Sequence, residues 1–379
     1  MQDVSQGTLQ GKEQTSMKIH KMAEGVRESI NRITVKKKEE EVGARLSTGS
    51  TLLNLALSGD SHYGFLGGHY YFLVGDSNSG KTFTSMTCFA EAAKNPAFDN
   101  HLLIYDNVED GMLMDVERLF GKEVARRIRP PRGTVENPRF SEVIEELYYN
   151  LDDINKKGQP FIYVLDSMDG LSSHDEQKKF EEQKKAYEKG KEAAGSYGDG
   201  KAKKNSANLR KVLSGLRKTD SILIIISQTR DNITGWGDPK TRSGGRALRF
   251  YATAEIWTSP TGIIKKTIRG KERKIGIKIT AQTKKNRLTG ELHDIPMDIY
   301  PSYGIDDIGA CVDFLVSEGW WKKDKDTTTI KTVGDIGEGT RESLIRRFDK
   351  NISPLRKEVA KCWKTIEEES ALKRTARYK

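Results

Sequence analysis

Four short aliphatic runs, separated by longer amphipathic segments, constrain the fold of this chain most strongly. They read "HYYFLVG", "HLLIYD", "PFIYVLDS" and "SILIIIS" and lie between residues 69 and 227. Apolar runs without alternation are typical of strands buried on both faces, and the helix-length segments between them are typical of crossover connections. The sequence therefore predicts an α/β fold with a mostly parallel sheet that helices cover on both faces.

Three parts of the chain differ in their residue pattern. Residues 1–44 are polar and end near the charge-segregated "TVKKKEEE", which predicts a helical, charged arm. Residues 45–303 hold the aliphatic runs and, from Ala254, alternating segments that predict hairpin strands at one edge of the sheet. Residues 304–379 have a helical pattern and end in the basic "KRTARYK", which predicts a small α-rich C-terminal domain with a basic tail.

Charge and cysteine content narrow the function classes. The chain has 64 Lys and Arg against 54 Asp and Glu, and this net charge of +10 favours a polyanionic partner. Its three cysteines form no CxxC pair and its six histidines show no ligand spacing, so we expect neither disulfides nor a zinc site. No apolar run reaches the roughly 18 residues of a membrane span, and we expect a cytoplasmic protein without a membrane partner.

The octapeptide "GDSNSGKT" matches the phosphate-binding pattern G-x4-G-K-[ST] between a predicted strand and a predicted helix. Glycines in this pattern let backbone N–H groups surround phosphates at the positive end of the helix, while the lysine reaches the β and γ oxygens and the hydroxyl binds Mg²⁺. The sequence therefore predicts a nucleotide and Mg²⁺ site built from Gly75, Asp76, Ser77, Asn78, Ser79, Gly80, Lys81 and Thr82.

Acidic residues follow two other aliphatic runs. Asp166 ends "FIYVLD", and an acid at the end of a neighbouring strand completes the Mg²⁺ site together with Thr82. Hydrolysis also requires a group that orients or deprotonates water, and "LLIYDNVEDGM" offers Asp106, Glu109 and Asp110. The chemistry of the residues alone leaves the choice among these three acids open.

Two polar segments interrupt the compact pattern. "SQTRDNITGWGDPKTRSGGRALRFY", from Ser227 to Tyr251, is a basic, Gly-rich loop that begins where an aliphatic run ends and carries a lone Trp236. The stretch from His174 to Ser206 is rich in Lys, Glu and Gln and supplies no core face. We interpret the second segment as a solvated helix followed by a loop.

Six stretches occur in the order that one known family gives them. They are "LSTGSTLLNLALSG", "GDSNSGKT", "VLDS", "IIISQTR", "SGGRALRFYA" and "TKKNR". From about Arg45 to Glu369 the chain resembles the RecA family of DNA strand-exchange recombinases, of the RecA/UvsX type that includes phage-encoded members. Many ATPases share the phosphate-binding pattern, whereas "SGGRALRFYA" one loop after "SQTR" is far more specific.

The resemblance implies a RecA-like fold and a DNA-dependent ATPase with ATP and Mg²⁺ as cofactors. Such a protein forms helical homo-oligomeric filaments on single-stranded DNA and promotes homologous pairing and strand exchange with double-stranded DNA in recombination and repair. The resemblance also implies that the N-terminal arm serves polymerisation, and that a single-strand-binding protein and a loading mediator are partners. A phage-encoded member would act in the host cytoplasm.

Residue roles also follow from the resemblance. It makes Lys81, Glu109 and Gln228 the catalytic residues, with Glu109 one position later than the family pattern and Gln228 sensing the γ-phosphate. Lys285 and Arg287 would reach across a subunit boundary to the neighbour's ATP. The candidate DNA contacts in two loops are Lys201, Lys203, Lys204, Arg230, Trp236, Lys240, Arg242, Gly244, Gly245 and Arg246.

Two other function classes share these features. A hexameric helicase or packaging motor of the same core fold would use the phosphate-binding loop and the trans cations for translocation. A DNA-binding scaffold or mediator would bind ATP without hydrolysing it, and the displaced Glu109 motivates this alternative. Trp236 can stack on a base or pack on its own domain, and the sequence does not distinguish the two.

Overall fold

The computed structural model describes residues 43–111, 114–189, 200–231, 240–242, 245–333 and 336–375. Within these ranges, the side chains at positions 200–202, 231 and 242 are outside the description. The predicted arm at 1–44 lies outside the described residues except for its last two positions, and so do Trp236 and Gly244. The predicted roles of the arm and of these two residues therefore stay predictions.

The longer strands of the described residues fall where the aliphatic and alternating runs predict them. We number them in chain order as β1 Arg45–Leu46, β2 Phe65–Leu66, β3 His69–Gly75, β4 Leu102–Asn107, β5 Ile128–Arg129, β6 Arg132–Gly133, β7 Pro138–Arg139, β8 Phe161–Asp166, β9 Ile222–Asp231, β10 Lys240–Arg242, β11 Ala254–Ile268, β12 Lys271–Asn286, β13 Asp294–Tyr300, β14 Gly304–Ile305, β15 Lys322–Lys323 and β16 Ile330–Lys331.

Helices occupy most of the connections between these strands. They are α1 Thr51–Ser58, α2 Lys81–Lys94, α3 Val116–Phe120, α4 Lys122–Arg127, α5 Ile144–Lys157, α6 His174–Glu188, α7 Gly200–Thr219, α8 Arg246–Tyr251, α9 Asp307–Ser317, α10 Arg341–Phe348 and α11 Ser353–Ser370. Among the described helices, none combines the length and the apolar character that a bilayer span requires.

One large sheet carries the fold, with the strand order β14-β13-β12-β11-β3-β9-β8-β4-β5 and β10 paired to β9. The strands from β11 to β5 in this order are parallel, whereas β12, β13 and β14 continue the sheet antiparallel at one edge. The predicted α/β fold with a mostly parallel sheet is confirmed, and so is its hairpin extension at one edge.

Helices cover both faces of the sheet because the parallel strands are apolar on both sides. Along β3, Tyr71 and Leu73 join one buried cluster, whereas Tyr70, Phe72 and Val74 join the other. The first cluster contains side chains of α1, α2, α9 and α11, and the second contains side chains of α5 and α7. Strands buried in this way gain most of their stability from apolar area removed from water.

The residues after 303 extend this architecture. Strand β14 pairs with β13, and the α9 and α11 side chains Leu315, Val359 and Trp363 belong to the same buried cluster as α1 and α2. The α9 and α11 helices therefore pack directly against the core. We keep the division of the chain into an arm, a core and a C-terminal domain at residue 304 as a proposal.

The carboxyl ends of β3, β4, β8 and β9 lie next to one another along the same side of the sheet, because these strands are parallel. In register, Gly75 of β3 is beside Gln228 of β9, and Asn107 of β4 is beside Asp166 of β8. The predicted site residues follow these positions. The topology thus brings the phosphate-binding loop and the candidate acids to one place.

Candidate functional site

The loop between β3 and α2 has the backbone of a phosphate-binding loop. Asn78 and Gly80 adopt positive φ angles of 58° and 83°, so the chain turns sharply before α2 begins at Lys81. A Cβ on Gly80 would also lie 2.5 Å from the Ile299 side chain. The α2 N-terminus has no side-chain cap and no acidic residue in its first turn, which leaves its positive end available for an anion.

Lys81 points back over this loop. Its ammonium donates to the carbonyl oxygens of Gly75 and Asp76 at 2.9 and 2.6 Å, and it lies 3.5 Å from the Ser79 hydroxyl. Burial lowers the pKa of Lys81 against the opposing effect of nearby carboxylates, of which Asp166 acts most strongly. The side chain is therefore folded against the loop that a phosphate would occupy.

Asp166, at the end of β8, accepts hydrogen bonds from two hydroxyl groups. Thr82 Oγ1 and Tyr105 OH donate to Asp166 Oδ2 at 2.7 and 2.8 Å. Burial, and next the charge of Asp166, raise the pKa of Tyr105, so this phenol stays a protonated donor. The Thr82 hydroxyl and the Asp166 carboxylate are oxygen donors of the kind that hold the Mg²⁺ of nucleotide-binding loops. Sequence reasoning missed Tyr105, which lies within an aliphatic run.

Glu109 lies beside the phosphate-binding loop and accepts hydrogen bonds from Gln228 of β9 and from Ser167, directly after β8. Gln228 Nε2 is 3.1 Å from both carboxylate oxygens of Glu109, and the Ser167 hydroxyl donates to Oε1. The structure thus brings together Glu109 and Gln228, two residues that sequence reasoning singled out separately. Ser167 was missed as a site residue because a serine after a strand-ending acid carries no specific signal.

The other two acids of the β4 end are placed differently. Asp106 is fully buried and accepts hydrogen bonds from the Ser141 backbone and hydroxyl and from Tyr163 OH, at 2.9, 2.7 and 2.6 Å. Burial raises the pKa of Asp106, while these donors lower it. Asp110 is exposed and does not line the cavity at the loop. Geometry therefore favours Glu109 as the group that can face water beside a phosphate.

A cavity of about 430 Å³ opens at the phosphate-binding loop. Its polar wall is formed by residues 77–82, Glu109, Asp166 and Gln228, and its apolar wall includes Met114, Ile277 and Ile299. This volume lies in the range of small-molecule sites. A backbone turn at an uncapped helix end, one lysine and a hydroxyl–carboxylate pair together fit a nucleoside triphosphate with Mg²⁺.

Asp76 connects the phosphate-binding loop to the strands that flank the second loop. Its two carboxylate oxygens accept hydrogen bonds from the Thr229 hydroxyl and the Lys240 ammonium. These two bonds lower the pKa of Asp76. Thr229 and Lys240 belong to the antiparallel pair of β9 and β10. A movement of Asp76 would therefore be transmitted to the residues directly before and after 232–239.

Asp169 holds the end of β9 from the other side. Its Oδ2 accepts hydrogen bonds from the Ser227 hydroxyl at 2.8 Å and from the Gln228 backbone at 2.7 Å, and its Oδ1 lies 3.6 Å from the Arg230 guanidinium. This carboxylate fixes the backbone from which the Gln228 side chain reaches Glu109. Asp169 was also missed from the sequence, because its partner strand is about 60 residues away.

Lys285 and Arg287 lie at the opposite edge of the sheet. Residue 286 of antiparallel β12 pairs with Ala254 at the start of β11, and Ala254 is beside Tyr71 of β3. The phosphate-binding loop lies at the other end of β3, where Gly75 is beside Thr258. The Lys285 ammonium donates to the carbonyl oxygens of residues 249 and 250 at 2.6 and 2.9 Å, and burial and the charge of Arg287 lower its pKa to about 8. Neither residue lines the cavity of its own chain.

The candidate DNA contacts have different surroundings. Arg230, Lys203 and Arg246 are exposed. Gly245 has a φ of 80° and directly precedes α8. Lys204 is shared by the carboxylates of Glu145 and Asp175 and is only 22% exposed, so its geometry disfavours a phosphate contact. The side chains of Lys201 and Arg242, like Trp236 and Gly244, are outside the described residues.

The long polar segment after β8 forms two helices in its described parts. Ser173 caps α6 in a capping box with Glu176, and the described side chains of α6 include no buried residue. After residues 190–199, α7 packs Leu209, Val212 and Leu216 into the core. The predicted solvated helix is confirmed in α6, whereas residues 200–206, predicted as loop, belong to α7.

The model of the RecA N-terminal domain matches residues 185–306, a range that begins after the phosphate-binding loop. Protein RecA of Ureaplasma parvum serovar 3 is 35% identical over 147 residues, which are 38% of this chain and 42% of that protein. This match therefore spans less than half of the Ureaplasma protein.

Two other similarities each cover more than two thirds of this chain. Protein RecA of Cytophaga hutchinsonii is 29% identical over 281 residues, covering 72% of this chain and 69% of that protein. Protein RecA of Thermus thermophilus is 25% identical over 327 residues, covering 80% and 85%. Among solved structures, one described as the crystal structure of the RadB recombinase gives a TM-score of 0.46 at 16% identity over 69% of this chain and 98% of that one.

The order of motifs, the parallel sheet and the site geometry agree with these sequence similarities. The matched range of the family model contains Gln228, Lys285 and Arg287, and the phosphate-binding loop precedes it at the expected strand end. Over most of its length, this chain is similar in sequence to proteins of the RecA family.

Proposed function

We propose that the protein is an ATP-dependent DNA recombinase that assembles on single-stranded DNA and pairs it with homologous duplex. The hydrogen bonds from Gln228 to Glu109 are the observation that carries this proposal. Gln228 lies at the end of β9, two residues before Arg230 and the start of the second candidate DNA loop. A residue in this position links the presence of a γ-phosphate to the conformation of that loop.

The chemistry proposed for the site is phosphoryl transfer to water. Bound Mg²⁺ would neutralise charge that develops on the β and γ oxygens, and Thr82 and Asp166 are the residues that would hold it. Lys81 would exchange its carbonyl partners for phosphate oxygens, and the backbone of residues 77–82 would bind the remaining oxygens. Glu109 would orient and deprotonate the attacking water.

A phosphate in the site would compete for the Gln228 amide. When Gln228 turns from Glu109 toward the γ-phosphate, it releases the carboxylate for catalysis and pulls on the β9 end. The Asp76 bonds to Thr229 and Lys240 give the same movement a second connection to the flanks of the loop. ATP binding and DNA binding are thereby coupled, and such couplings are reciprocal.

The proposed catalytic cations act on a neighbouring subunit. Since Lys285 and Arg287 lie at the sheet edge opposite the phosphate-binding loop, a single subunit does not bring them to its own nucleotide. A head-to-tail arrangement of subunits places one edge against the other, and it generates either a ring or a helix. Hydrolysis would then depend on assembly, because a trans cation stabilises charge in the transition state.

Two alternatives use the same site. A ring-forming motor would also need the trans cations, and a non-hydrolysing scaffold would keep the nucleotide site without turnover. The contact of Glu109 with Gln228 and its position on the cavity wall favour turnover over the scaffold. Electron microscopy with single-stranded DNA and a slowly hydrolysed ATP analogue tests the recombinase directly. We expect regular helical filaments, whereas closed rings would favour the motor.

A further inference from the structure

Glu291, His293 and Glu367 form a cluster of metal-binding groups that the proposed function does not use. Glu291 and His293 lie in the connection between β12 and β13, and Glu367 lies on α11. Each residue offers one ligand atom, and these three atoms lie within 4.8 Å of one another. We refer to the three residues as the Glu-His-Glu cluster.

One nitrogen of the His293 ring is buried without a hydrogen bond. Nε2 is shielded from solvent and makes no hydrogen bond to any described residue. Two carboxylate oxygens lie around it, Oε2 of Glu291 at 3.8 Å and Oε1 of Glu367 at 3.7 Å. Both distances exceed the roughly 3.2 Å that an N–H···O hydrogen bond allows. Since buried polar groups normally have a partner, a nitrogen in this position points to a missing one.

The spacing of the three ligand atoms fits a divalent transition-metal ion. Zn²⁺ binds histidine nitrogen and carboxylate oxygen at about 2.0–2.2 Å, so neighbouring ligand atoms in a tetrahedral shell lie about 3.4 Å apart. The two distances from His293 Nε2 exceed this value by only a few tenths of an ångström. Among the described residues, no lysine or arginine lies within ion-pair distance of either carboxylate. A bound cation would balance their charges.

The position of His293 is fixed by contacts that do not involve Nε2. Its backbone N–H donates to Thr283 Oγ1 at 2.6 Å, and its carbonyl oxygen accepts from the Thr283 N–H at 2.9 Å. Its ring packs against Trp363 of α11, with ring centroids 4.9 Å apart. Trp363 and Glu367 are four residues apart on α11 and therefore lie on the same face of that helix. A ligand held in this way loses little conformational freedom when it binds an ion.

The donor set selects the class of metal. Imidazole nitrogen favours Zn²⁺ and other transition-metal ions, whereas Mg²⁺ prefers a shell of oxygen atoms. One histidine and two glutamates supply three ligands, which leaves coordination positions for water. A cavity of about 460 Å³ has His293, Glu367 and Trp363 in its wall. This cavity provides an entry path for the ion and its water.

We propose that the Glu-His-Glu cluster binds a divalent transition-metal ion of the Zn²⁺ type, which ties the end of α11 to the connection between β12 and β13. The histidines show no ligand spacing along the sequence, and this site is the exception because the fold brings Glu367 to His293 from a distant segment. The cluster shares no residue with the predicted Mg²⁺ ligands Thr82 and Asp166. The proposal goes beyond the proposed function and does not depend on it.

The test titrates the full chain with Zn²⁺ by isothermal titration calorimetry, without nucleotide or DNA. We expect the wild-type protein to bind one ion at the cluster. Glu367→Gln keeps the size of the side chain, and His293→Phe keeps a ring against Trp363. Each should weaken Zn²⁺ binding about tenfold or more, because even residues that only support metal ligands contribute about 10- to 100-fold. The control Glu368→Gln changes the next glutamate of α11, which faces Lys364, and should leave the affinity unchanged.

A further variant and a second measurement protect the test against misfolding. The Glu291 side chain is 54% exposed, so Glu291→Gln should fold normally and should also weaken Zn²⁺ binding about tenfold. In urea denaturation, Zn²⁺ should raise the unfolding midpoint of the wild-type protein and of Glu368→Gln, because a ligand that binds only the folded state stabilises it. The midpoints of Glu291→Gln and His293→Phe should not respond to Zn²⁺ at the same concentration.

Three results would overturn the proposal. They are the absence of Zn²⁺ binding by the wild-type protein, equal affinities of the wild-type protein, Glu291→Gln and Glu367→Gln, and an equal loss in the control Glu368→Gln. Displacement of the bound ion by Mg²⁺ at equal concentration would contradict the assigned class of metal. Stimulation of ATP hydrolysis by single-stranded DNA tests the recombinase instead, so the metal site and the proposed function fail in different measurements.

Discussion

The side-chain amide of Gln228 lies 3.1 Å from both carboxylate oxygens of Glu109, although the two residues are 119 positions apart in the chain. This contact joins the ends of β4 and β9, the strands that border the proposed catalytic water and the proposed DNA loop. It is a bond that a γ-phosphate can exchange, since the amide can donate to a phosphate oxygen instead.

Glu109 should be required for turnover and dispensable for ATP binding. Glu109→Gln keeps the size of the side chain but removes the base, and we expect ATP hydrolysis to fall about 100-fold or more with little change in nucleotide affinity. Initial rates and fluorescent nucleotide titration measure the two effects. Asp110→Asn is the control and should hydrolyse ATP at the wild-type rate, because Asp110 does not line the cavity. Turnover that Glu109→Gln leaves intact would exclude this role.

Gln228 should couple DNA to hydrolysis. Gln228→Ala removes the amide that reads the γ-phosphate, so single-stranded DNA should raise the rate of ATP hydrolysis by this variant less than about twofold. Nucleotide affinity without DNA should remain within about twofold. Normal stimulation in this variant would show that the coupling runs through the Asp76 contacts instead.

Lys285 and Arg287 should act in trans. Lys81→Ala lacks its own nucleotide site, and Lys285→Ala/Arg287→Ala lacks the cations for its neighbour, so each should be inactive alone. Mixed in equal amounts, they should recover about a quarter of the wild-type rate, because that share of head-to-tail interfaces joins two intact halves. A mixture that stays inactive contradicts the trans arrangement.

The pH dependence of hydrolysis should report Lys285. Burial and Arg287 lower its pKa to about 8, so its positive charge is lost as the pH rises through 8, and DNA-stimulated hydrolysis should decline there. Lys285→Arg keeps its charge and should shift the decline to higher pH. The effect on stability has the opposite sign: the unfolded state binds the extra proton between pH 8 and 10.5, so this group favours folding as the pH rises.

Arg356 should stabilise the packing of α11 on the core. Its guanidinium lies 3.5 Å from the Asp307 carboxylate, and its Nε donates to Thr51 Oγ1 at 3.1 Å. Arg356→Ala leaves a buried carboxylate with Thr51 as its main partner, and we expect a loss of about 2 kcal/mol in the free energy of unfolding. Urea denaturation measures it, and exposed Lys357→Ala should change the value by less than about 0.5 kcal/mol. Equal values for both variants would contradict the role of Arg356.

Much of the fold could be predicted because its signals are local. Unbroken aliphatic runs predict buried parallel strands, and "GDSNSGKT" contains its own turn, helix start and lysine. The choice of Glu109 over Asp106 could not be made locally. It depends on Ser141 and Tyr163, which bury Asp106 in a structural role.

Contacts between distant segments account for what the sequence did not predict. The bonds from Thr229 and Lys240 to Asp76 join residues about 150 positions apart. Lys204, predicted as a phosphate contact, forms an ion pair with Glu145 of another helix instead. The pairing of Lys265 with Lys274 emerges only from the strand register, which the bulges of β11 and β12 shift. No pattern within one segment encodes these relationships.

The most direct test of the account is the initial rate of ATP hydrolysis by the wild-type protein with and without single-stranded DNA. The account predicts a low rate without DNA and a several-fold higher rate with it, because DNA assembles subunits and brings Lys285 and Arg287 to the neighbouring nucleotide. A rate that single-stranded DNA leaves unchanged would contradict the proposed recombinase.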